Sequence, residues 1–371
     1  MSTTHSQLPD GIFRTDLAMN DGRILRYYDD APIERIALDR RPPENPAGIG
    51  EMRLDPLLNE WVSVAAHRQN RAFLPPKELC PLCPTKSELL TEIPDSKFAV
   101  AVFDNKNPSF NRPSGAFSLP AMHGPSTPNA AGVGKCEVVV FSDEHDGSFG
   151  SMSLDRMALV MSAWIDRTRE LSTLPDIVQV FPFENRGVEV GVTIDHPHGQ
   201  IYAYPFLPPR TEKMLAAATK YRDQTGRVLM DDIVAREIKD QVRIISENDH
   251  WIAYVPFAAR YPFEIHVAPK VRVSDLTVLT DEQRKAFPSV AKEVLMRLDG
   301  LYKIEMPYMA SWHQAPTRMG RDLLGLHWQI TCIRRAPEKL KYLAGSESAM
   351  GAFVMDMAPE QSAEQLKAVK L

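Results

Sequence analysis

The sequence predicts an α+β protein built from a duplicated unit. One order of strand, amphipathic helix, strand and strand starts near Glu137 and starts again near Phe263. The two runs also have matching spans, 60 residues from Val138 to His198 and 61 from His266 to His327. Equal spacing of like elements is the mark of a repeated supersecondary unit. With 371 residues, 44% of them hydrophobic and 8% aromatic, the chain can bury a large core, which excludes disorder, collagen and a coiled coil.

Four segments follow. Residues 1–52 are polar and turn-rich, end in RRPPENPAGIG, and read as an N-terminal extension wrapping over the body or between subunits. Residues 53–210 form the first half. There, Asp55-Pro56 and Asn59 mark a turn before the strand of Trp61, Val62 and Val64. EVVVFS (Glu137–Ser142) is a strand, and Ser153 is the N-cap of a helix whose Met157, Val160, Trp164 and Leu171 share one face. IVQVFPF (Ile177–Phe183), a turn at ENRG, and GQIYAYPF (Gly199–Phe206) complete it. Residues 211–335 open with two helical stretches of mixed charge, EKMLAAATKYRDQ and DDIVAREIKDQ, expected to be a solvated connecting layer. The repeat then returns as FEIHVAPKVRV, a helix from about Asp281 to Leu301, a strand near Met306–Trp312, and HWQIT. Residues 336–371 end in a short amphipathic helix, PEQSAEQLKAVKL.

The formal net charge is −5, whereas coating a polyphosphate needs a concentrated basic surface, so a nucleic-acid partner is not expected. No run approaches the ~18 apolar residues of a membrane span. The opening MSTTHSQLPDG resembles neither a signal nor a transit peptide, so a cytoplasmic location is expected. Thirty prolines predict irregular connections.

The chemistry concentrates in DHPHGQIYA (Asp195–Ala203). Side chains alternate along a strand, so His196, His198 and Gln200 point one way. Two satisfied core histidines are the plain alternative, but three such polar groups on one strand face would be costly to bury without partners. CPLC offers Cys80 and Cys83 as half of a tetrahedral zinc site, with His145 and His196 as candidates for the rest. A redox pair or two buried thiols are the alternatives. Arg68 and Arg71 follow the first strand, where arginines usually face solvent. Cys136 and Cys332 read as buried thiols, and His123, His250 and His266 as structural.

From Arg53 onward the chain resembles the galactose-1-phosphate uridylyltransferases, the transferase branch of the histidine triad superfamily. The likeness rests on EWVSVAAHRQNR, CPLC, FSDEH, FENRGVEVGVTIDHPHGQIYA, HWIAYVPFAARYPFE, SWHQAP, HWQI and KYLAGSE. It implies two histidine-triad-like units sharing an antiparallel sheet with helices packed on it. It further implies a ping-pong transfer of UMP from UDP-glucose to galactose 1-phosphate in the Leloir pathway. His198 would be the nucleophile and Gln200 a donor to the phosphoryl oxygens. Arg68 and Arg71 would bind phosphate, and Asn105, Asn185, Gly191 and Thr193 uridine or phosphate. Lys341, Gly345 and Glu347 would reach the sugar from the partner subunit of a homodimer with shared active sites. Cys80, Cys83, His145 and His196 would hold one structural Zn2+, a ligand two residues before the nucleophile, so that the ion fixes the catalytic strand.

Some family members hold a second, iron-type metal with one Glu and three His. Here those positions are Met214, His313, Thr331 and Ile333, so no second site is expected. His327 reads as a relic of the duplication. The ribose-contacting turn has Lys106 where the family commonly has Asp, Ser346 replaces a Tyr, and AMGAFVMD lacks the sugar-binding Gln. The rival readings are a relative using another nucleotide or sugar 1-phosphate, such as an ADP-sugar phosphorylase, and a non-catalytic nucleotide-binding protein.

Overall fold

The computed structural model describes residues 3–44, 48–70, 73–112, 124 and 126–371. Arg71 and His123 lie outside the described residues. The first strands are β1 (Thr3–Gln7), β2 (Phe13–Ala18) and β3 (Ile24–Asp29). A small sheet joins β4 (Glu51–Asp55), β5 (Glu60–Val64) and β7 (Asn129–Ala131), with Asn59 at φ +55° in the β4–β5 turn. The first unit is β6 (Val100–Asp104), β8 (Lys135–Val140), α1 (Leu154–Ser172), β9 (Gln179–Arg186) and β10 (His198–Tyr204). Helices α2 (Pro209–Thr225) and α3 (Leu229–Asp240) lead to the second unit. That unit is β11 (Ile244–Glu247), β12 (Trp251–Tyr254), β13 (Phe263–Pro269), α4 (Asp281–Tyr302), β14 (Tyr308–His313) and β15 (His327–Cys332). The chain closes with β16 (Arg334–Ala336), β17 (Lys339–Leu340), α5 (Gly345–Met350) and α6 (Pro359–Ala368).

Twelve strands form one antiparallel sheet in the order β1-β2-β3-β6-β8-β10-β9-β14-β15-β13-β12-β11. From β3 to β11 this order reads as a palindrome of equivalent strands about the β9–β14 pair, so the duplicated unit becomes two halves of a continuous sheet. Helices α1 and α4 pack on one face and on each other. Trp328, Phe287 and Phe149 from different elements meet there, with Trp164 and Trp251 each 6.1 Å from Trp312, ring to ring. Such edge-on aromatic pairs each add ~0.5–1.5 kcal/mol beyond burial. Ser153 caps α1 by accepting from Arg156 N at 3.2 Å.

Two local readings differ from the structure. The turn expected at ENRG begins only at Gly187, because Asn185 and Arg186 pair with Met309 and Tyr308 of β14. That partner is supplied by the other half, so the strand is longer than its own sequence suggests. The polar N-terminal extension, in turn, contributes three sheet strands rather than only a wrap. Its polar residues are used: Arg14 bonds Asp166 at 2.9 Å and Glu170 at 2.7 Å on α1, and Tyr28 OH donates to Asp166 at 2.7 Å. Beneath them Arg167 grips buried Glu137 with two bonds of 2.9 and 2.8 Å. Among the described residues no helix is long and apolar enough to cross a membrane.

Candidate active site and metal site

Alternation along β10 sends Ile201 and Ala203 into the helix-covered core and His198, Gln200, Tyr202 and Tyr204 to the other face. Gly199 points to the core side, where an added Cβ would lie 2.9 Å from Phe141 Cζ and 2.9 Å from the Phe183 carbonyl oxygen. The glycine of the HGQ sequence is therefore set by packing against the neighbouring strands.

His198 is half-buried, and its Nδ1 lies 2.7 Å from the His196 carbonyl oxygen. A carbonyl only accepts, so Nδ1 carries the proton and Nε2 keeps its lone pair. Burial holds the imidazole pKa below its ordinary value, despite that hydrogen bond. Gln200 has no side-chain partner among the described residues. It sits opposite Phe183 on β9 and Val138 on β8. Asn185, two residues past Phe183, falls on the same face beside His198.

Arg68 reaches this face from the short 3-10 helix Ala66–Asn70. Its Nη1 donates to the Asn107 carbonyl (3.1 Å), Ser109 Oγ (2.7 Å) and Tyr202 OH (3.3 Å). Asn105 turns the same loop, its Oδ1 accepting from Asn107 N at 2.8 Å. Gly191, at φ +82°, closes a turn, and the Thr193 carbonyl accepts from Leu74 N at 2.8 Å, which ties the loop preceding the histidines to the segment after Arg71. Lys341 and Glu347 bond one another at 3.0 Å, and Gly345 opens α5. Among the described residues no hydrogen bond or ion pair links this trio to β10.

The sequence reading did not anticipate the aromatic floor of the face. Phe183 meets Tyr202 edge-on at 5.1 Å and Phe110 meets Tyr204 at 5.4 Å. For Phe183, Tyr202 and Tyr204 the alternation within β9 and β10 was the available signal.

The four proposed metal ligands come together. Donor atoms of Cys80, Cys83, His145 and His196 all lie within 4.8 Å of one another. Cys83 Sγ is 3.4 Å from His145 Nδ1 and 3.5 Å from His196 Nδ1. A tetrahedral zinc with bonds of about 2.3 Å to sulfur and about 2.0–2.1 Å to nitrogen sets those ligands roughly 3.5 Å apart, so the residues fit. His196 Nε2 donates to the Ser142 carbonyl at 2.7 Å, which leaves Nδ1 bare for a metal and fixes the ring. Burial, and then the adjacent Cys80, push the Cys83 thiol up to about 12, while burial lowers His196 to about 4. Both shifts favour a neutral Cys83 and a neutral His196, and a divalent ion that displaces the thiol proton suits them.

Models of the galactose-1-phosphate uridyl transferase N-terminal and C-terminal domains match residues 43–208 and 215–371. A galactose-1-phosphate uridylyltransferase of Streptomyces lividans is 38% identical over 96% of this chain and 98% of its own length. That of Thermotoga maritima is 35% identical over 85% of this chain and 98% of its own. A solved uridylyltransferase structure superposes with a TM-score of 0.76 at 30% identity, covering 86% of this chain and 98% of the other. Both halves match in order, and the chain is an enzyme belonging to the galactose-1-phosphate uridylyltransferase family.

Proposed function

We propose that the chain moves a uridylyl group from UDP-glucose to galactose 1-phosphate through a covalent intermediate on His198. The observation that carries this is the bond from His198 Nδ1–H to the His196 carbonyl, which presents an unprotonated Nε2 on the open sheet face. In the first half-reaction that lone pair attacks the α-phosphorus. The bond from phosphorus to the bridging oxygen breaks, and glucose 1-phosphate departs with the electron pair. Positive charge on the ring is shared with the carbonyl, which strengthens its hydrogen bond. In the second half-reaction a phosphate oxygen of galactose 1-phosphate attacks, the P–N bond breaks, and neutral His198 returns. Splitting the transfer lets one anionic phosphate leave before the next arrives.

In this reading Arg68 and Arg71 hold the phosphates, and Gln200 donates to the phosphoryl oxygens. Asn105, Asn185, Gly191 and Thr193 position the uridine and its phosphates. A structural Zn2+ held by Cys80, Cys83, His145 and His196 would rigidify the start of β10 from outside the reaction. Lys341, Gly345 and Glu347 of a second copy would contact the sugar, making the working unit a homodimer of galactose metabolism in the cytoplasm.

The test is incubation with UDP-glucose labelled at the α-phosphate, followed by isolation of the protein. Label attached in acid-labile, base-stable form, and absent from a zinc-replete His198→Ala variant, is expected. A folded His198→Ala variant that exchanges label at the parent rate refutes the covalent route. Labelling only by the adenylyl group of ADP-glucose refutes the nucleotide.

A further inference from the structure

The sheet's internal symmetry sets His327-Trp328-Gln329 on β15 where His198-Gly199-Gln200 stands on β10. The likeness extends to hydrogen bonding. His327 Nδ1 lies 3.2 Å from the carbonyl of Gly325, two residues back, as His198 Nδ1 does from that of His196. The neighbours differ. The register that places Val138 opposite Gln200 places His266 opposite Gln329, and His313 pairs directly with His327. The His327 ring is therefore flanked by His266 at 4.9 Å and His313 at 5.0 Å, centroid to centroid.

This row borders a cavity of about 1160 Å³ whose lining includes α2 and α3 residues together with His266 and His327. Arg210 and Arg260 also line it. Neither guanidinium has an acidic partner within ion-pair distance among the described residues. The nearby Glu264 is already committed: Oε1 accepts from Gln329 at 2.5 Å and lies 3.3 Å from His266 Nε2, and Oε2 accepts from the Arg260 backbone at 2.6 Å. The cavity's other acids, Asp232, Glu237 and Asp240, bond Arg227, Arg243 and Arg236. Tyr254, 1% exposed, also lines the cavity, and its hydroxyl has no partner. Two uncompensated guanidiniums, an imidazole row and an unused buried hydroxyl are an anion's complement. Met214, Met230 and Ile233 supply apolar surface in the same cavity.

We infer that the second half holds a non-catalytic site for an organic phosphate monoester of nucleotide size. Arg210, Arg260 and His327 bind the phosphate, and the organic part lies against α2 and α3. Burial and then His266 depress His327 to about 3, so this ring is neutral when the cavity is empty and an arriving dianion favours its protonation. The site is read by binding and not by turnover, so it stands or falls apart from the transfer reaction.

Equilibrium dialysis of the full chain with labelled UMP tests it. Two UMP per protomer are expected for the parent and for His198→Ala. One is expected for Arg210→Gln/Arg260→Gln, with uridylyl exchange kept within twofold of the parent. Tyr254→Phe, which preserves shape, should weaken the second site at least threefold at unchanged melting temperature. Glucose 1-phosphate displacing the second UMP identifies a sugar-phosphate occupant, and failure to displace it identifies a nucleotide. The inference is overturned when the paired Arg change removes no UMP site, whether the parent binds one UMP or two. Inorganic phosphate binding as tightly as UMP, or a second divalent ion lost in His327→Gln, overturns it equally.

Discussion

Replacing Glu184 by Gln should make the protein markedly more stable in mild alkali. Glu184 lies on the core side of β9 and is 4% exposed. Tyr308 OH donates to its Oε1 at 2.9 Å, but Oε2 has no partner. The nearest cation, Arg186, spends its guanidinium on Asp299 through bonds of 2.9 and 3.1 Å. Burial therefore dominates and raises the carboxyl from 4.5 to about 7. The folded state retains a proton that the unfolded chain releases, so this group's contribution is full below pH 4.5, declines as pH rises, and is lost above pH 7. At about 1.4 kcal/mol per pH unit, that interval is worth about 3 kcal/mol. Gln keeps the acceptor for Tyr308 and cannot ionise. Urea unfolding from pH 5 to pH 8 should show a parent–variant difference that is smallest at pH 5 and grows to about 3 kcal/mol in the variant's favour. A difference that stays constant across this range refutes the reasoning. Because Glu184 pairs with Gly199 in the ladder, its ionisation would also strain the strand that carries His198.

Dialysis against a strong chelator should lower the melting temperature and the transfer rate together, with added zinc restoring both; protein purified without chelator and free of zinc by metal analysis counts against the assignment. Gly199→Ala should cost ~1–3 kcal/mol by overpacking against Phe141 and the Phe183 carbonyl, and should lower kcat by displacing His198; unchanged unfolding and turnover would contradict the contact. Gln200→His introduces a group able to move a proton, and should increase the fraction of label released to water as UMP. An unaltered ratio of transfer to hydrolysis would remove Gln200 from the step.

The duplication was legible because a strand and an amphipathic helix each have their own period, and the copies keep equal spacing. The Cys80, Cys83, His145 and His196 cluster was legible because two cysteines at C-x2-C spacing call for two further donors, and His145 after the first strand and His196 in HPH were placed to supply them. Pairing between the halves was not legible. Nothing in ENRG announces that Asn185 and Arg186 bond β14, since that depends on a partner more than 100 residues away. The polarity of the first 52 residues suggested an extension because the α1 carboxylates that receive Arg14 were out of view. The clustering of His266, His313 and His327 was equally out of view, because only the register of β13, β14 and β15 brings them side by side.

Two H-x-Q strands with the same backbone hydrogen bond to the histidine leave the choice of chemistry to their neighbours. Beside His198 the flanking strands place Val140 directly opposite, Val138 on the diagonal, and Asn185, which are apolar groups and a neutral amide with no acidic proton to give. Beside His327 they place two more imidazoles, His266 and His313, whose rings crowd it from both neighbouring strands. The core sides differ in step. Gly199 leaves space for the Phe141 ring, whereas Trp328 fills its counterpart and joins the tryptophan cluster between the halves. Register thus gives one repeated motif two different sets of neighbours, and substitutions at Val140 or Asn185 should affect His198 more than changes at Tyr202 or Tyr204.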